Sequence, residues 1–400
     1  MLVDTFFARQ PIFDRSRRVC GYELLYRSGP VDRAGFTDGV SATAQVLANA
    51  FADVDTPDLL GGLPAFVNLP RELIVSRAIL AFPPDRVAVE VLEDVTPDTE
   101  VMTALAELRA AGYRIALDDY GPGDPRRLLV PFADIVKVDL MATAPDDLFG
   151  MASTLRSAGV ILLAEKVEDL EDYKRCFDLG FSMFQGFFFA RPELMSGRRV
   201  DEGRSRLTGL LGELHRPGVS IEQVAEAVER HPDFAHHLLR VLNSAAMGLS
   251  RQVDSIRQAV VMLGMRRVTE LATVLVLASN DQKPRELLNL ALTRARMCSV
   301  VADRMGRVDA DSFFTVGALS VLDALADRPL AELVGPLPLS DDVKSALIHR
   351  VGIKGELLDA AIAYERAEWD RLTDTELDAS TLAHGYLEAL EWSTQMMASV

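Results

Sequence analysis

Short apolar runs, each closed by a polar residue, recur through the first half of the chain: CGYELLY, PAFVNL, RVAVEVL, YRIALDD, DIVKVDL, VILLAEK and FSMFQGFFF. All are strand-sized and rich in β-branched or aromatic residues. Most are separated by a helix-sized segment, the alternation expected of a βα barrel or an open α/β sheet. Helices are predicted over Arg71 to Ala81, Asp98 to Ala111, Pro145 to Ala158 and Leu170 to Leu179, several followed by a terminating glycine (Gly112, Gly159, Gly180). Near residue 200 the pattern changes. The stretch SGRRVDEGRS, Ser196 to Ser205, is charged, contains glycine and lacks apolar periodicity, so the linker is placed there. Beyond it the apolar positions of IEQVAEAVERH, FAHHLLRVL, IRQAVVML and ELLNLALTRARMCSVVADRM recur three or four apart. Ser220 with Gln223 and Ser255 with Gln258 have capping-box spacing, Pro232 and Pro284 suit first-turn positions, and Gly264 and Gly306 suit helix ends. The expected organisation is an α/β barrel over residues 1–196, a linker over 197–205 and an all-α domain over 206–400. No internal repeat or heptad seam is visible.

Length and composition narrow the class. Four hundred residues at 49% hydrophobic and 25% charged accommodate two to three domains of about 100–200 residues, each able to bury a core. The net charge of −17 argues against nucleic acid as a partner. Cys20, Cys176 and Cys298 are isolated and show no zinc spacing, which fits buried thiols in a reducing compartment. MLVDTFFARQ lacks the features of a leader, and Val268 to Ser279 is too short and too interrupted to span a bilayer. A soluble cytoplasmic protein without a membrane partner is expected. Arg251, Arg257, Arg266 and Arg267 read as a solvated helix face, and Met262, Met265, Met297 and Met305 as core filler.

The polar residues that close the apolar runs are Glu23, Asn68, Glu90, the pair Asp118 and Asp119, Lys137, Glu165 and Gln185. A barrel of parallel strands gathers its strand ends at one mouth, so these residues are predicted to meet around a ligand. One carboxylate at a strand end usually faces water or caps a helix. Repetition of the same donor type at almost every strand is what favours a pocket. Carboxylates with an amide oxygen, and no His or Cys, select hard divalent cations such as Mg²⁺ or Mn²⁺, and Glu23, Asn68, Glu90, Asp118 and Asp119 fit as ligands. Two such ions hold a phosphodiester and activate water. Lys137 is placed to orient that water or offset charge, and Arg27, four residues past Glu23, to pair with a phosphate oxygen.

At these residues a resemblance becomes specific. GYELLYR, FVNL, VEVLE, ALDDYG, VKVD, AEKVE and QGFFFARP stand in the order and spacing of the EAL family, over about the first 195 residues. That family comprises phosphodiesterases that linearise cyclic di-GMP on a modified TIM barrel, and relatives that only bind it. The resemblance implies metal-ligand roles for Glu23, Asn68, Glu90, Asp118, Asp119 and Glu165, with Glu23 and Glu165 also essential to catalysis. It places Lys137 on the catalytic lysine, and Gln185, Arg27 and Asp139 on the substrate side. Glu93 and Glu168 fall on glutamates that support the neighbouring loops. The implied cofactors are two Mg²⁺ or Mn²⁺ ions.

Departures from the family pattern are concentrated outside the ligand set. Leu24 stands where the family has alanine, and Lys166 where active enzymes usually have glycine. The loop Asp119 to Arg126 lacks the usual phenylalanine and serine pair, and SGPVDRAGFTDGVSAT follows Arg27 in place of the usual substrate segment. The helical half resembles the HDOD domain, a non-catalytic relative of HD phosphohydrolases, through Val219 to Ala245 and Ser255 to Val268. Asp323 has no adjacent histidine. His236 and His237 point about 100° apart on a helix, so they cannot pair as ligands. An interaction role with a protein partner is expected there. Two readings follow: a cyclic di-GMP phosphodiesterase that dimerises through its barrel, or a catalytically degenerate barrel serving as receptor or scaffold.

Overall fold

The computed structural model describes residues 5–28, 60–191, 209–243, 253–278, 283–373 and 377–399. The predicted linker, the stretch after Ser28 and Arg251 lie outside them. The chain divides into two compact units, one of Met1–Phe189 with Glu365–Thr373 and one of Ala190–Tyr364 with Asp374–Val400.

The first unit is a closed barrel of eight strands: β1 (Thr5–Asp14), β2 (Val19–Ser28), β3 (Ala65–Leu69), β4 (Val87–Val91), β5 (Arg114–Leu117), β6 (Ile135–Asp139), β7 (Ile161–Glu165) and β8 (Met183–Gln185). Seven coincide with the predicted runs. The expectation of a uniformly parallel barrel needs correction, because β1 is an additional strand that runs antiparallel to both β2 and β8. A tight hairpin creates it. Asp14 Oδ1 accepts the backbone N–H groups of Ser16 (2.7 Å) and Arg18 (2.9 Å), and Arg17 turns through φ 59°. Asp caps a turn in this way by supplying the acceptor that the reversing backbone lacks.

Inside the barrel, Ile12, Phe66, Ala88, Ala116, Ile135, Leu163 and Met183 form an apolar plug. Side chains alternate faces along a strand, so the residue two positions on points inward again, one layer higher. For β3 to β8 that step leads to Asn68, Glu90, Asp118, Lys137, Glu165 and Gln185. On the reversed strand β1 it leads back to Gln10, which pairs in register with Glu23. The plug is therefore the floor of the predicted site.

The surrounding helices follow their sequence signals. Asp98 caps Thr99–Ala110 by accepting the N–H of Val101, and Asp169 caps Leu170–Asp178. Arg71–Ser76 stops earlier than predicted because Arg77 adopts a left-handed conformation, φ 56°, before the 3₁₀ turn Ala78–Ala81. Segment Glu365–Thr373 clusters with the barrel. Gln10 Nε2 donates to the Arg366 carbonyl at 3.2 Å, and the Arg366 guanidinium lies 4.7 Å from the Phe187 ring centre.

In its described residues the second unit is helical. Ser220 and Gln223 form the reciprocal capping box of Ile221–Glu229. Ser255 Oγ accepts the Gln258 N–H, but the Gln258 side chain turns instead to the N–H of Asp254. Pro284 is the residue before the first turn of Arg285–Arg304, one position earlier than expected. That helix packs against Ala310–Leu319 so closely that a Cβ on Gly317 would lie 2.5 Å from the Arg294 backbone. Met297 is buried and Met262 and Met265 are half-buried, whereas Met305 is 40% exposed at a helix end and is not core filler. Arg266 is correspondingly not a plain solvated side chain, because it pairs with Glu270, Asp303 and Asp311. Among the described residues no helix is long and apolar enough to cross a membrane.

Candidate active site

Lys137 is the centre of the barrel mouth. Its side chain is fully buried, and Nζ lies 2.6 Å from Asp118 Oδ1, 2.8 Å from Glu90 Oε1, 3.0 Å from Glu165 Oε1 and 3.1 Å from Glu23 Oε2. Burial alone pulls a lysine pKa down. Here the facing carboxylates of Glu165, Glu23, Glu90 and Asp118 outweigh burial and hold it well above its ordinary value. The reverse imbalance acts on the acids. Burial, reinforced by neighbouring Glu23, lifts Glu90 well above the usual carboxylate range despite Lys137. Burial likewise lifts Glu165 to about 8, with Lys137 opposing and Asp118 and Glu23 adding to the rise. One ammonium therefore leaves these buried carboxylates under-compensated.

Amide side chains fix the rest of the ring. Gln185 Nε2 donates to Glu23 Oε2 at 2.6 Å and to Gln10 Oε1 at 3.0 Å, and Asn68 Nδ2 donates to Glu23 Oε1 at 3.1 Å. Gln185 owes its position partly to Gly186, where a Cβ would lie 2.2 Å from the Val167 carbonyl oxygen. The backbone of Val167 in turn bonds the Gln185 carbonyl at 3.0 Å. Loop and strand are thus locked together just beyond the ring, on the side away from the plug.

The site passes a test of fit for hard cations. Asn68 Oδ1, Glu90 Oε2 and Glu165 Oε2 are buried oxygens that accept no hydrogen bond, which is costly unless an electropositive partner takes them. The donor set is all oxygen, as Mg²⁺ or Mn²⁺ requires. Beside the ring, one carboxylate oxygen from each of Glu93, Asp118 and Asp119 lies within 4.8 Å of the other two, the one such acidic cluster found among the described residues. Sequence reasoning gave Glu93 a supporting role. The structure brings it to the same point as two expected ligands. Asp119 adopts φ 44°, and burial followed by the Asp118 charge raises its pKa.

The remaining predicted residues are distributed as follows. Asp139 is buried, but Oδ1 accepts the N–H groups of Met141 (2.7 Å) and Ala142 (3.2 Å) and Oδ2 accepts Lys166 Nζ. Glu168, given a loop-supporting role by the resemblance, is exposed on the loop after β7, where its N–H reaches Asp172 Oδ2 at 3.4 Å. Only the backbone of Arg27, in β2, is described.

Two participants escaped sequence reasoning. Gln10 belongs to the strand that was missed, although the aromatic and β-branched residues of TFFARQPIFD carry a strand signal that Pro11 weakens. Arg126 is fully buried in the unusual loop after Asp119. It clasps Asp124 through two bonds of 2.6 and 3.1 Å and donates to the carbonyls of Val91 (3.0 Å) and Asp119 (3.4 Å). An Asp-Pro-Arg sequence, with aspartate capping the turn and arginine two residues later, was the available clue.

Within the helical unit a cavity of about 520 Å³ is lined by residues that include His215, Met265, Glu270, Phe314, Thr315 and Lys354. Lys354 Nζ sits between Asp309 (2.7 Å) and Asp342 (2.6 Å). No metal-ligating cluster occurs there among the described residues.

Comparison with known proteins agrees with this division. The family model for the EAL domain matches residues 40–192, and that for the HDOD domain residues 205–327. The uncharacterized protein YuxH of Bacillus subtilis is 32% identical over 403 residues, covering 98% of each chain. The cyclic di-GMP phosphodiesterase CdgJ of Vibrio cholerae is 32% identical over 398 residues, 97% of this chain and 92% of its own. Among solved structures, the YkuI protein of Bacillus subtilis, with an EAL domain, is 20% identical at a TM-score of 0.40, covering 57% of this chain and 72% of its own.

Proposed function

Since the chain belongs to the family in which an EAL domain is followed by an HDOD domain, we propose that its barrel is a metal-dependent phosphodiesterase that hydrolyses cyclic di-GMP to linear pGpG. The observation that carries this reading is the ring of four buried carboxylates around Lys137, with ligand oxygens left without hydrogen-bond partners. Glu23, Asn68, Glu90, Asp118, Asp119 and Glu165 would hold the ions, and Glu93 is positioned to join Asp118 and Asp119. Bound Mg²⁺ or Mn²⁺ ions supply Lewis-acid stabilisation of the phosphodiester and lower the pKa of the attacking water.

The chain's own residues do the rest. Gln185 and Asn68 each hold one oxygen of Glu23, so that carboxylate cannot rotate away from the reacting centre. Lys137, whose ammonium the facing carboxylates favour against burial, offsets negative charge on the phosphoryl oxygens as the bond to the ribose O3′ breaks. Arg27 is assigned to a phosphate oxygen. Asp139, with both oxygens engaged, acts on the substrate side through Lys166.

The helical unit is assigned to protein interaction and the barrel to homodimer formation through the surface carrying the 120–126 loop. Sedimentation showing only monomer at micromolar concentration would remove the dimer. A receptor that binds cyclic di-GMP without cutting it is the second reading, favoured by the cationic side chain of Lys166 at the mouth. Incubation with cyclic di-GMP and Mn²⁺, then Mg²⁺, beside a Glu23→Ala control separates the two readings. Time-dependent pGpG from the wild type alone supports the enzyme, and intact cyclic di-GMP in both supports the receptor.

A further inference from the structure

Lys166 follows the last residue of β7 with φ 54°, and Asp119 follows Asp118 with φ 44°. Both are left-handed conformations, which aspartate tolerates better than most residues and lysine rarely adopts. The resemblance to the EAL family makes glycine the usual residue at position 166, where this backbone would carry no steric penalty. A lysine kept in that conformation is informative only if its side chain contributes something. Its ammonium hydrogen-bonds Asp139 Oδ2 and lies 4.0 Å from Asp119 Oδ1. Asp139 is itself anchored, since its other oxygen takes two backbone N–H groups. The Lys166 side chain is 52% exposed while that of Asp139 is 10% exposed, so a fixed carboxylate holds a solvent-facing cation at the rim.

That rim is the acidic cluster of Glu93, Asp118 and Asp119. Lys137, fully buried in the ring below, touches this cluster through Asp118 Oδ1 at 2.6 Å, which leaves Lys166 as the cation beside Asp119 at the rim. We propose that Lys166 is a tethered cation that partly neutralises Asp119 and weakens divalent-ion binding at the Glu93, Asp118 and Asp119 cluster, so that the barrel holds one ion tightly and a second loosely. This deepens the metal-dependent reading above and rests on it. A fixed positive charge near 4 Å from a ligand oxygen opposes an incoming dication at the same carboxylate. At protein surfaces such charges are strong enough to shift binding by about tenfold or more.

Mn²⁺ binding to the full chain without nucleotide, measured by calorimetry with free Mn²⁺ counted by electron paramagnetic resonance, tests this directly. Wild type should bind one ion with at least about tenfold higher affinity than the second. Lys166→Met removes the charge and keeps the strained backbone, and Lys166→Gly removes both. Each should tighten the weaker site by about tenfold or more, whereas Lys166→Arg should behave as wild type, with circular dichroism confirming the fold of every variant. Equal wild-type sites, or an unchanged weak site in the Met variant, would overturn the role of Lys166 and leave the phosphodiesterase reading standing. Absence of Mn²⁺ binding in all variants would overturn both. Charge-dependent binding without pGpG formation would retain the tethered cation and sink the enzyme.

Discussion

Gln185 donates to Glu23 Oε2 at 2.6 Å, and the same oxygen lies 3.1 Å from Lys137 Nζ. Glu23 therefore stands at the junction of the ammonium ring and an amide chain that continues to Gln10.

Gln185→Ala would leave Glu23 Oε2 held by Lys137 alone while removing no charge. Turnover of cyclic di-GMP is expected to fall by about ten- to a hundredfold, chiefly in kcat. Loss of one neutral-to-charged hydrogen bond should lower stability by about 1.5–3 kcal/mol. Steady-state kinetics and denaturant unfolding check the two together, and wild-type turnover would exclude Gln185 from the site.

Replacement of Lys137 by methionine leaves Glu23, Glu90, Asp118 and Glu165 facing one another without the ammonium. Breaking a buried ion pair in this one-sided way destabilises by about 3–5 kcal/mol. Because burial pushes the Glu165 carboxyl up to about 8 and lifts Glu90 well above the usual carboxylate range, repulsion weakens as pH falls. In chelator the loss should be larger at pH 8 than at pH 5, and added Mn²⁺ should recover part of it. Equal losses at both pH values would contradict the under-compensated ring.

How much of this was legible in the sequence depends on the kind of signal. Apolar runs closed by polar residues identify seven strands and bring Glu23, Asn68, Glu90, Asp118, Lys137, Glu165 and Gln185 to one mouth. These residues share a register position, and their place at the end of each run specifies it. β1 escapes because its antiparallel direction is set by a hairpin, so the role of Gln10 is visible only after the barrel closes. Glu93 and Lys166 lie on loops, where no period tells which way a side chain points. Segment Glu365–Thr373 clusters with the barrel through contacts to Gln10 and Phe187, and contacts so distant in sequence leave no local trace. Met305 fits an apolar period, but its helix ends at Arg304 and the side chain passes into solvent.

Arg126 supplies a prediction for the unusual loop. Its guanidinium is 1% exposed and pairs with Asp124, whose side chain is 6% exposed. Arg126→Met would leave Asp124 buried with no cationic partner, keeping only the backbone N–H of residue 126, and would take one donor each from the Val91 and Asp119 carbonyls, at an expected cost of about 3–5 kcal/mol, with Arg126→Lys intermediate because it lacks the planar fork. Release of the Asp119 carbonyl should also weaken Mn²⁺ binding. A stability loss below about 1 kcal/mol, the scale of an exposed ion pair, would show that Arg126 does not hold the loop.

His215 contributes to the expected acid sensitivity of the helical unit, alongside Asp342, whose carboxyl Lys354 holds down at about 2. Its ring contacts Thr273 Oγ1 at 2.8 Å and Thr315 Oγ1 at 2.7 Å, hydroxyls that also reach the Thr269 and Asp311 carbonyls. Burial holds its pKa down at about 4, against 6.5 for a free ring. The unfolded chain thus binds a proton at a pH where the folded one does not. The stability this contributes is fully present above about 6.5 and is lost as pH falls toward about 4. With about 1.36 kcal/mol per pKa unit, the loss is about 3 kcal/mol. In His215→Gln, which keeps one donor and one acceptor without a titrating ring, the unfolding midpoint should decline less steeply between pH 7 and pH 4 than in wild type. Parallel pH profiles for the two proteins would show that His215 is solvated and that acid sensitivity arises elsewhere.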